Sequence, residues 1–192
     1  MNISCTIIGN VCAGDGYAIQ VEEPYRKGLQ GLEGFSHILV VWYAWPMKKI
    51  PIVVSACLLG RQCRYDGSSV PFPQAVMLEE RYTLIGVCPE VLGGLQTPRS
   101  PSELLDGRVM SREGDDCTEA FLRGAQRALE IAEESGCKRA LLMDRSPSCG
   151  YGVVYDGTFS GILIPGKGIF ASLLESKGFM INSSSHPEAL LG

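Results

Sequence analysis

Three short apolar runs set the pattern of the chain. Ile50 to Val54, Tyr82 to Val87 and Arg139 to Met143 are each nearly continuous in apolar residues. Runs of this length, bounded by turn formers, predict strands buried on both faces. Between the second and third runs the period changes. Phe121, Ala125, Ala128 and Ala132 recur at intervals of 4, 3 and 4, which predicts one buried helix face over about Thr118 to Ser135. Asp115 or Asp116 can cap that helix, with Glu119 three residues past Asp116 as in a capping box, and Gly136 can end it. Pro73 to Glu80 predicts a helix with proline near its start. A last helix follows Gly166-Lys167-Gly168, presents Phe170, Leu173 and Leu174, and stops at Gly178. Arg108 to Met110 and Val153 to Tyr155 predict short extra strands, and Asn182 to Gly192 reads as a weakly ordered tail.

Strand, helix, strand, helix, strand in that order predicts a mostly parallel sheet with crossover helices. The expected fold is therefore α/β, a three-layer Rossmann-like domain over residues 51–192. Residues 1–48 differ. Cys5 to Gly9, Tyr17 to Val21 and the strongly apolar stretch Phe35 to Trp45 are β-prone, and Pro46 to Pro51 makes a junction. The expectation is a short β-rich N-terminal extension. A strand-rich stretch of this length is not stable alone. It must pack on the main domain or on a second copy of the chain, which makes a homodimer one candidate assembly.

Length and charge narrow the picture. The 192 residues suffice for one good core with a small appendage. A net charge of -4 speaks against a broad nucleic-acid surface, leaving room for a local basic pocket. No basic segment followed by an apolar core opens the chain, and no apolar run reaches the roughly 20 residues of a spanning helix. The expectation is a soluble, cytoplasmic protein with no membrane partner.

Eight cysteines then need an account. In a reducing compartment they are not a disulfide framework. Cys5, Cys12, Cys117 and Cys137 sit in settings that suit packed or incidental thiols. Cys57, Cys63, Cys88 and Cys149 sit in turns rich in Gly, Pro and Arg. Cys57, Cys88 and Cys149 each follow one of the three apolar runs. In a parallel sheet the C-terminal ends of all strands share one edge, where ligands bind. Topology would thus gather three thiols that are distant in sequence. Thiolates are soft ligands, suited to iron-sulfur clusters, zinc or copper(I). A closed zinc site usually shows paired close spacings, and here the closest pair, Cys57 and Cys63, is six apart with no second pair. From the residues alone a metal or cluster site comes first, a thiol-based catalytic site next, and packed cysteines last. Cys63 is left open as a fourth ligand, a resolving thiol or an inert neighbour.

Two resemblances sharpen this. Tyr25 to His37 (YRKGLQGLEGFSH) resembles the start of the β-barrel family of S-adenosylmethionine-dependent tRNA methyltransferases. It covers only the first 45 or so residues, and most of that family's longer domain is unmatched, so methyl transfer is not expected. His37 is the one candidate remnant there, against a plain structural histidine. Six further fragments stand in a fixed order. They are Ser55 to Gly60, Cys63 to Gly67, Cys88 to Leu95, Pro98-Arg99, Ser146 to Gly150 and Tyr155 to Gly161. This set resembles the 2-thiouracil desulfurase family over about residues 51–181. The resemblance implies a 4Fe-4S cluster held by Cys57, Cys88 and Cys149, with substrate sulfur on the open iron. It also implies catalytic roles for Glu90 and Ser146. The expected activity is desulfidation of thiouracil, thiouridine or thiouridine monophosphate to the uracil derivative and hydrogen sulfide. One departure is visible: Met143 and Asp144 stand where a lysine would be expected.

Each role has a bland counterpart. Glu90 can simply pair with Arg99 or Arg64, and Ser146 can be a turn-forming hydroxyl. Arg64, Arg99 and Arg145 can bind a phosphate, or can pair with Asp66, Glu90, Glu103 or Asp144. Two other protein classes compete. One is a tRNA-associated metal-binding module without desulfidase activity. The other is a thiol redox enzyme using Cys57 and Cys63.

Overall fold

The computed structural model describes residues 49–191. The expected β-rich extension, the methyltransferase-like segment, Cys5, Cys12 and His37 lie outside the described residues.

The apolar runs form the predicted strands. They are β1 (Ile50–Ser55), β2 (Tyr82–Val87) and β5 (Arg139–Leu142). With β8 (Met180–Ser183) they make a four-stranded sheet in the order β2-β1-β5-β8, every neighbouring pair parallel. Strand order reverses between β1 and β5. That reversal is a topological switch point, where an open α/β sheet leaves a crevice beyond its strand ends. The helices are α1 (Ala75–Arg81), α2 (Pro89–Leu92), α3 (Thr118–Glu134), α4 (Ile169–Ser176) and α5 (Glu188–Leu191). Two small ribbons complete the fold: β3 (Ser102–Leu105) with β4 (Arg108–Ser111), and β6 (Tyr151–Tyr155) with β7 (Leu163–Lys167), both antiparallel.

Successive strand residues point to opposite faces, and the core divides accordingly. Val53, Val87, Ala140 and Leu142 pack against Ala125, Ala128, Leu129 and Ala132 of α3 and Phe170, Ala171 and Leu174 of α4. Ile52, Val54 and Leu141 face the other way, against Leu58, Phe72, Leu78 and Leu190. This is the expected three-layer α/β arrangement. Among the described residues no helix is long and apolar enough to cross a membrane.

Three details differ from the expectations. The tail is ordered: β8 adds to the sheet edge, and Leu190 of α5 is wholly buried. Of the predicted face of α4, Phe170 and Leu174 are buried while Leu173 is only half so. The capping box of α3 does not form. Cys117 occupies the cap position with no side-chain cap bond, and Asp116 instead accepts the Thr118 N–H at 3.0 Å.

Candidate active site

The three cysteines leave three adjacent strands at the same edge. Cys57 lies on the single 3-10 turn (Ala56–Leu59) that follows β1. Cys88 is the residue between β2 and α2, whose first position is Pro89. Cys149 sits in the loop after β5. All three line one cleft of about 670 Å³ together with Cys63, Glu90, Arg99 and Ser146. The structure thus brings together Cys57, Cys88, Cys149, Glu90 and Ser146, while the candidate His37 lies outside the described residues.

The Cys149 loop is fixed by α4. The first backbone N–H groups of a helix lack partners within it. Here Ile169 N donates to Pro147 O at 3.0 Å, Phe170 N to Ser148 O at 2.9 Å and Gly168 N to Gly150 O at 2.8 Å. Gly168 is required by close approach, since a Cβ there would meet Ser148 O at 2.3 Å. The serine side chains complete the cage. Ser146 Oγ accepts the Ser148 and Cys149 N–H groups, both at 3.1 Å. Ser55 Oγ accepts the Met143 N–H at 2.9 Å and lies near the Cys149 sulfur.

Glu90 and Ser146 are joined in one chain of bonds. Arg99 Nε and Nη2 donate to Glu90 Oε2 at 2.8 and 2.6 Å. Glu90 Oε1 is left facing the Ser146 hydroxyl at 3.5 Å. The bland ion pair of Glu90 with Arg99 is therefore present, but it occupies one carboxylate oxygen and leaves the other to the cleft. Arg99 is anchored in turn, donating to Cys63 O, Gln96 O and Thr97 Oγ1 at 3.0, 3.0 and 3.1 Å.

Electrostatics of the thiols follow from burial and mutual contact. Burial pushes the Cys149 thiol up to about 12, and the neighbouring Cys88 and Glu90 charges add to the rise. The nearby Ser55 and Ser148 hydroxyls oppose it by favouring the thiolate. Contact with Cys63, then burial, raises Cys88. Contact with Cys57 is the first cause of a raised Cys63, which also touches Cys88. Cys63 is therefore a direct neighbour of two of the three nominated ligands. Cys137 is buried in the core, which pushes its thiol up to about 11.

The donor set suits a cluster better than a single ion. Cys63 stands against Cys57 and Cys88, and Cys149 feels the Cys88 charge, so four thiols share the cleft. Thiols delivered to one cleft from three strand ends suit a multi-iron cluster, each iron taking one thiolate. Ser148 Oγ is wholly buried without a hydrogen-bond acceptor or donor in reach at normal geometry, and it lies against Cys149. A hydroxyl beside a thiol that could bind iron is the sort of outer contact that tunes such a centre.

The cleft also holds residues that the sequence reading left in the background. Glu103, Arg112, Tyr155 and Phe159 line it, as do Tyr65 and Met143. Tyr65 and Tyr155, each followed by Asp-Gly in the sequence, thus both reach the cleft. The arginines divide. Arg99 pairs with Glu90, Arg64 reaches Asp66 at only 3.7 Å, and Arg145 pairs with no carboxylate among the described residues. Asp144 instead accepts from Ser184 Oγ at 2.9 Å. Gly, Asn or Asp usually occupy αL positions, yet Arg145 takes φ 60° and Phe159 φ 57°.

The chain is similar to known proteins. The family model described as 2-thiouracil desulfurase matches residues 52–186. A Bacillus subtilis protein described as uncharacterized protein YbbK is 37% identical over 150 residues, covering 73% of this chain and 99% of its own length. A solved structure titled [4Fe-4S]-dependent thiouracil desulfidase TudS superposes with a TM-score of 0.67 at 41% identity, over 74% of this chain and 95% of that one. With three cysteines at neighbouring strand ends and a family match across nearly the whole described domain, the chain belongs to the 2-thiouracil desulfurase family.

Proposed function

We propose that the protein is a 4Fe-4S-dependent desulfidase that converts thiolated uracil derivatives and water to the uracil derivative and hydrogen sulfide. The observation that carries this is one cleft in which three strand-end cysteines meet the Arg99–Glu90–Ser146 chain. Cys57, Cys88 and Cys149 would hold the cluster. When bound through three thiolates, it supplies an open iron as a Lewis acid for the soft thiocarbonyl sulfur.

The protein's own groups handle water and protons. Glu90 Oε1, the carboxylate oxygen that Arg99 does not hold, acts as general base toward the attacking water. Arg99 fixes the carboxylate through the other oxygen. Ser146 accepts two backbone N–H groups, so its own proton is the group it has left to give. It lies 3.5 Å from Glu90 Oε1, in place to pass the proton that Glu90 collects to the leaving sulfur or a ring nitrogen. No net electron transfer is needed. Arg64, Arg112 and Arg145 line the same cleft, and guanidinium forks suit phosphate. That supports thiouridine monophosphate as a substrate beside the free base. An iron-sulfur enzyme with free thiols suits a reducing cytoplasm, and nothing in this scheme requires nucleic acid.

Anaerobic reconstitution followed by sulfide release from thiouracil and thiouridine monophosphate tests the proposal. Sulfide production that requires the cluster is expected. A protein that carries a full cluster yet releases no sulfide from either compound would overturn it.

A further inference from the structure

We infer that the Phe159 ring is the platform on which the substrate's pyrimidine ring stacks, and that buried Glu103 is the positioning residue that sets it there. The inference rests on the desulfidase reading of the cleft and names the part of it that recognises the ring.

The loop between β6 and β7 is held onto β3 by one carboxylate. Glu103 is only 8% exposed, and its Oε2 accepts the Gly157 N–H at 3.1 Å and the Phe159 N–H at 2.9 Å. No ion pair neutralises Glu103 among the described residues. A carboxylate buried without a counter-ion is costly unless backbone donors satisfy it. Gly157 lets the loop come this close, since a Cβ there would meet Leu104 O at 2.6 Å. The loop is also knit internally: Asp156 Oδ1 accepts from Thr158 N and Oγ1 at 3.0 and 2.7 Å, and Thr158 Oγ1 meets Ser160 Oγ at 2.7 Å.

All of this fixes a bulky residue in a backbone region that side chains avoid. A φ of 57° disfavours phenylalanine, and such strain persists only where the surroundings over-determine it. The outcome is a half-buried aromatic ring lining the cleft that holds the cysteines, Glu90 and Ser146. The Arg112 guanidinium lies 5.5 Å from the ring centroid and orients it further. Neither of the cleft's two other aromatic residues is held by a buried carboxylate or sits at a positive φ. Tyr155 belongs to strand β6, and Tyr65 is 41% exposed at a turn. A planar, electron-poor pyrimidine is the natural partner of a fixed aromatic face, and loss of one base–aromatic stack weakens binding about 5- to 150-fold.

The test uses the reconstituted holoenzyme. Calorimetry reads the Kd for uridine monophosphate, and turnover reads KM and kcat with thiouridine monophosphate and with thiourea, an acyclic thiocarbonyl. Phe159→Ala should raise Kd and the nucleotide KM roughly tenfold to hundredfold, leave the cluster's visible spectrum and the thiourea KM unchanged, and be rescued by Phe159→Tyr. Glu103→Ala should raise the same Kd and KM, with Glu103→Gln, which keeps an acceptor oxygen, restoring them. Unchanged Kd and KM in Phe159→Ala, with the native protein active, would overturn the inference. A Glu103→Ala protein that melts earlier but binds normally would overturn the positioning role. Failure of the desulfidase reading is a different result: the native holoenzyme would release no sulfide from any of these compounds.

Discussion

At the scale of single residues, the chemistry depends on a division of labour between the two oxygens of Glu90. Arg99 holds Oε2, and Oε1 faces Ser146. Glu90→Ala should keep the cluster's visible spectrum and lose turnover by at least a hundredfold, the order expected for a general base; near-normal turnover would end its assigned role. Arg99→Met removes one partner of a largely buried ion pair and three further anchoring bonds. It should destabilise the fold by about 3–5 kcal/mol, read as a lowered denaturation midpoint, as well as reduce kcat. The three cysteines were legible in the chain because each sits in a turn-rich fragment after an apolar run, and turns at strand ends mark sites, whereas Glu90 and Ser146 were named only through the resemblance to the desulfurase family. Glu103 and Phe159 were not legible, because their link spans 56 positions and passes through a backbone N–H. No spacing records that. Ser55 is similar: its bond to the Met143 N–H joins two strands 88 positions apart.

At the scale of elements, the sheet was legible in proportion to burial. The strands β1, β2 and β5 are buried enough to read as apolar runs. Edge strand β8 (Met-Ile-Asn-Ser) mixes exposed and buried positions and so looked like tail. Strand β7 contains Pro165 and Gly166, which argue against a strand unless it belongs to a small exposed ribbon, and here it does. The last helix, α4, shows what an element contributes to the site. Its N-terminus clamps the Cys149 loop, and Gly168 permits the contact. Gly168→Ala should cost about 1–3 kcal/mol by overpacking and lower cluster content in proportion, measured by thermal melting and iron assay on one preparation. The same helix is tied to the ribbon by Glu175, which accepts from Lys167 Nζ and Tyr151 Oη. The Lys167 bond, then Tyr151, holds the Glu175 carboxyl below its usual range, and the reciprocal bond raises Lys167. A depressed acid stabilises the fold above its unfolded value of about 4.3 and loses that contribution as pH falls through the lower folded value. A raised lysine stabilises below about 10.4 and loses its contribution as pH climbs through the higher folded value. Both groups are exposed, so the effect is small and screened. Glu175→Gln should flatten the melting temperature between about pH 5 and 3 at low salt, with the difference from the native protein gone in concentrated salt.

At the scale of the whole molecule, function follows from strand order. Because β1 lies between β2 and β5, and all three run parallel, residues 57, 88 and 149 are delivered to one cleft although the chain separates them widely. Parallelism was readable from the alternation of strand and helix, and with it the convergence of the thiols. Which cysteines hold iron is a sharper question, since Cys63 touches both Cys57 and Cys88. Strand topology supplies the answer to test. Cys63 belongs to the loop after the turn, not to a strand end, and its backbone carbonyl is already bonded to Arg99. A cluster bridging β2, β1 and β5 needs one thiolate from each. Iron and acid-labile sulfide should therefore reach about four each per chain in the native protein. They should fall to near zero in Cys57→Ala, Cys88→Ala and Cys149→Ala alike. Cys63→Ala should keep both values, and so should Cys137→Ala wherever the core tolerates the smaller side chain. If Cys63→Ala loses the cluster while Cys57→Ala or Cys88→Ala keeps it, the ligand set shifts to Cys63, and the link between strand order and cluster fails with it. If the native protein takes up zinc and no sulfide, the cleft is a metal-binding module, and the strand ends serve a structural ion instead of a reaction.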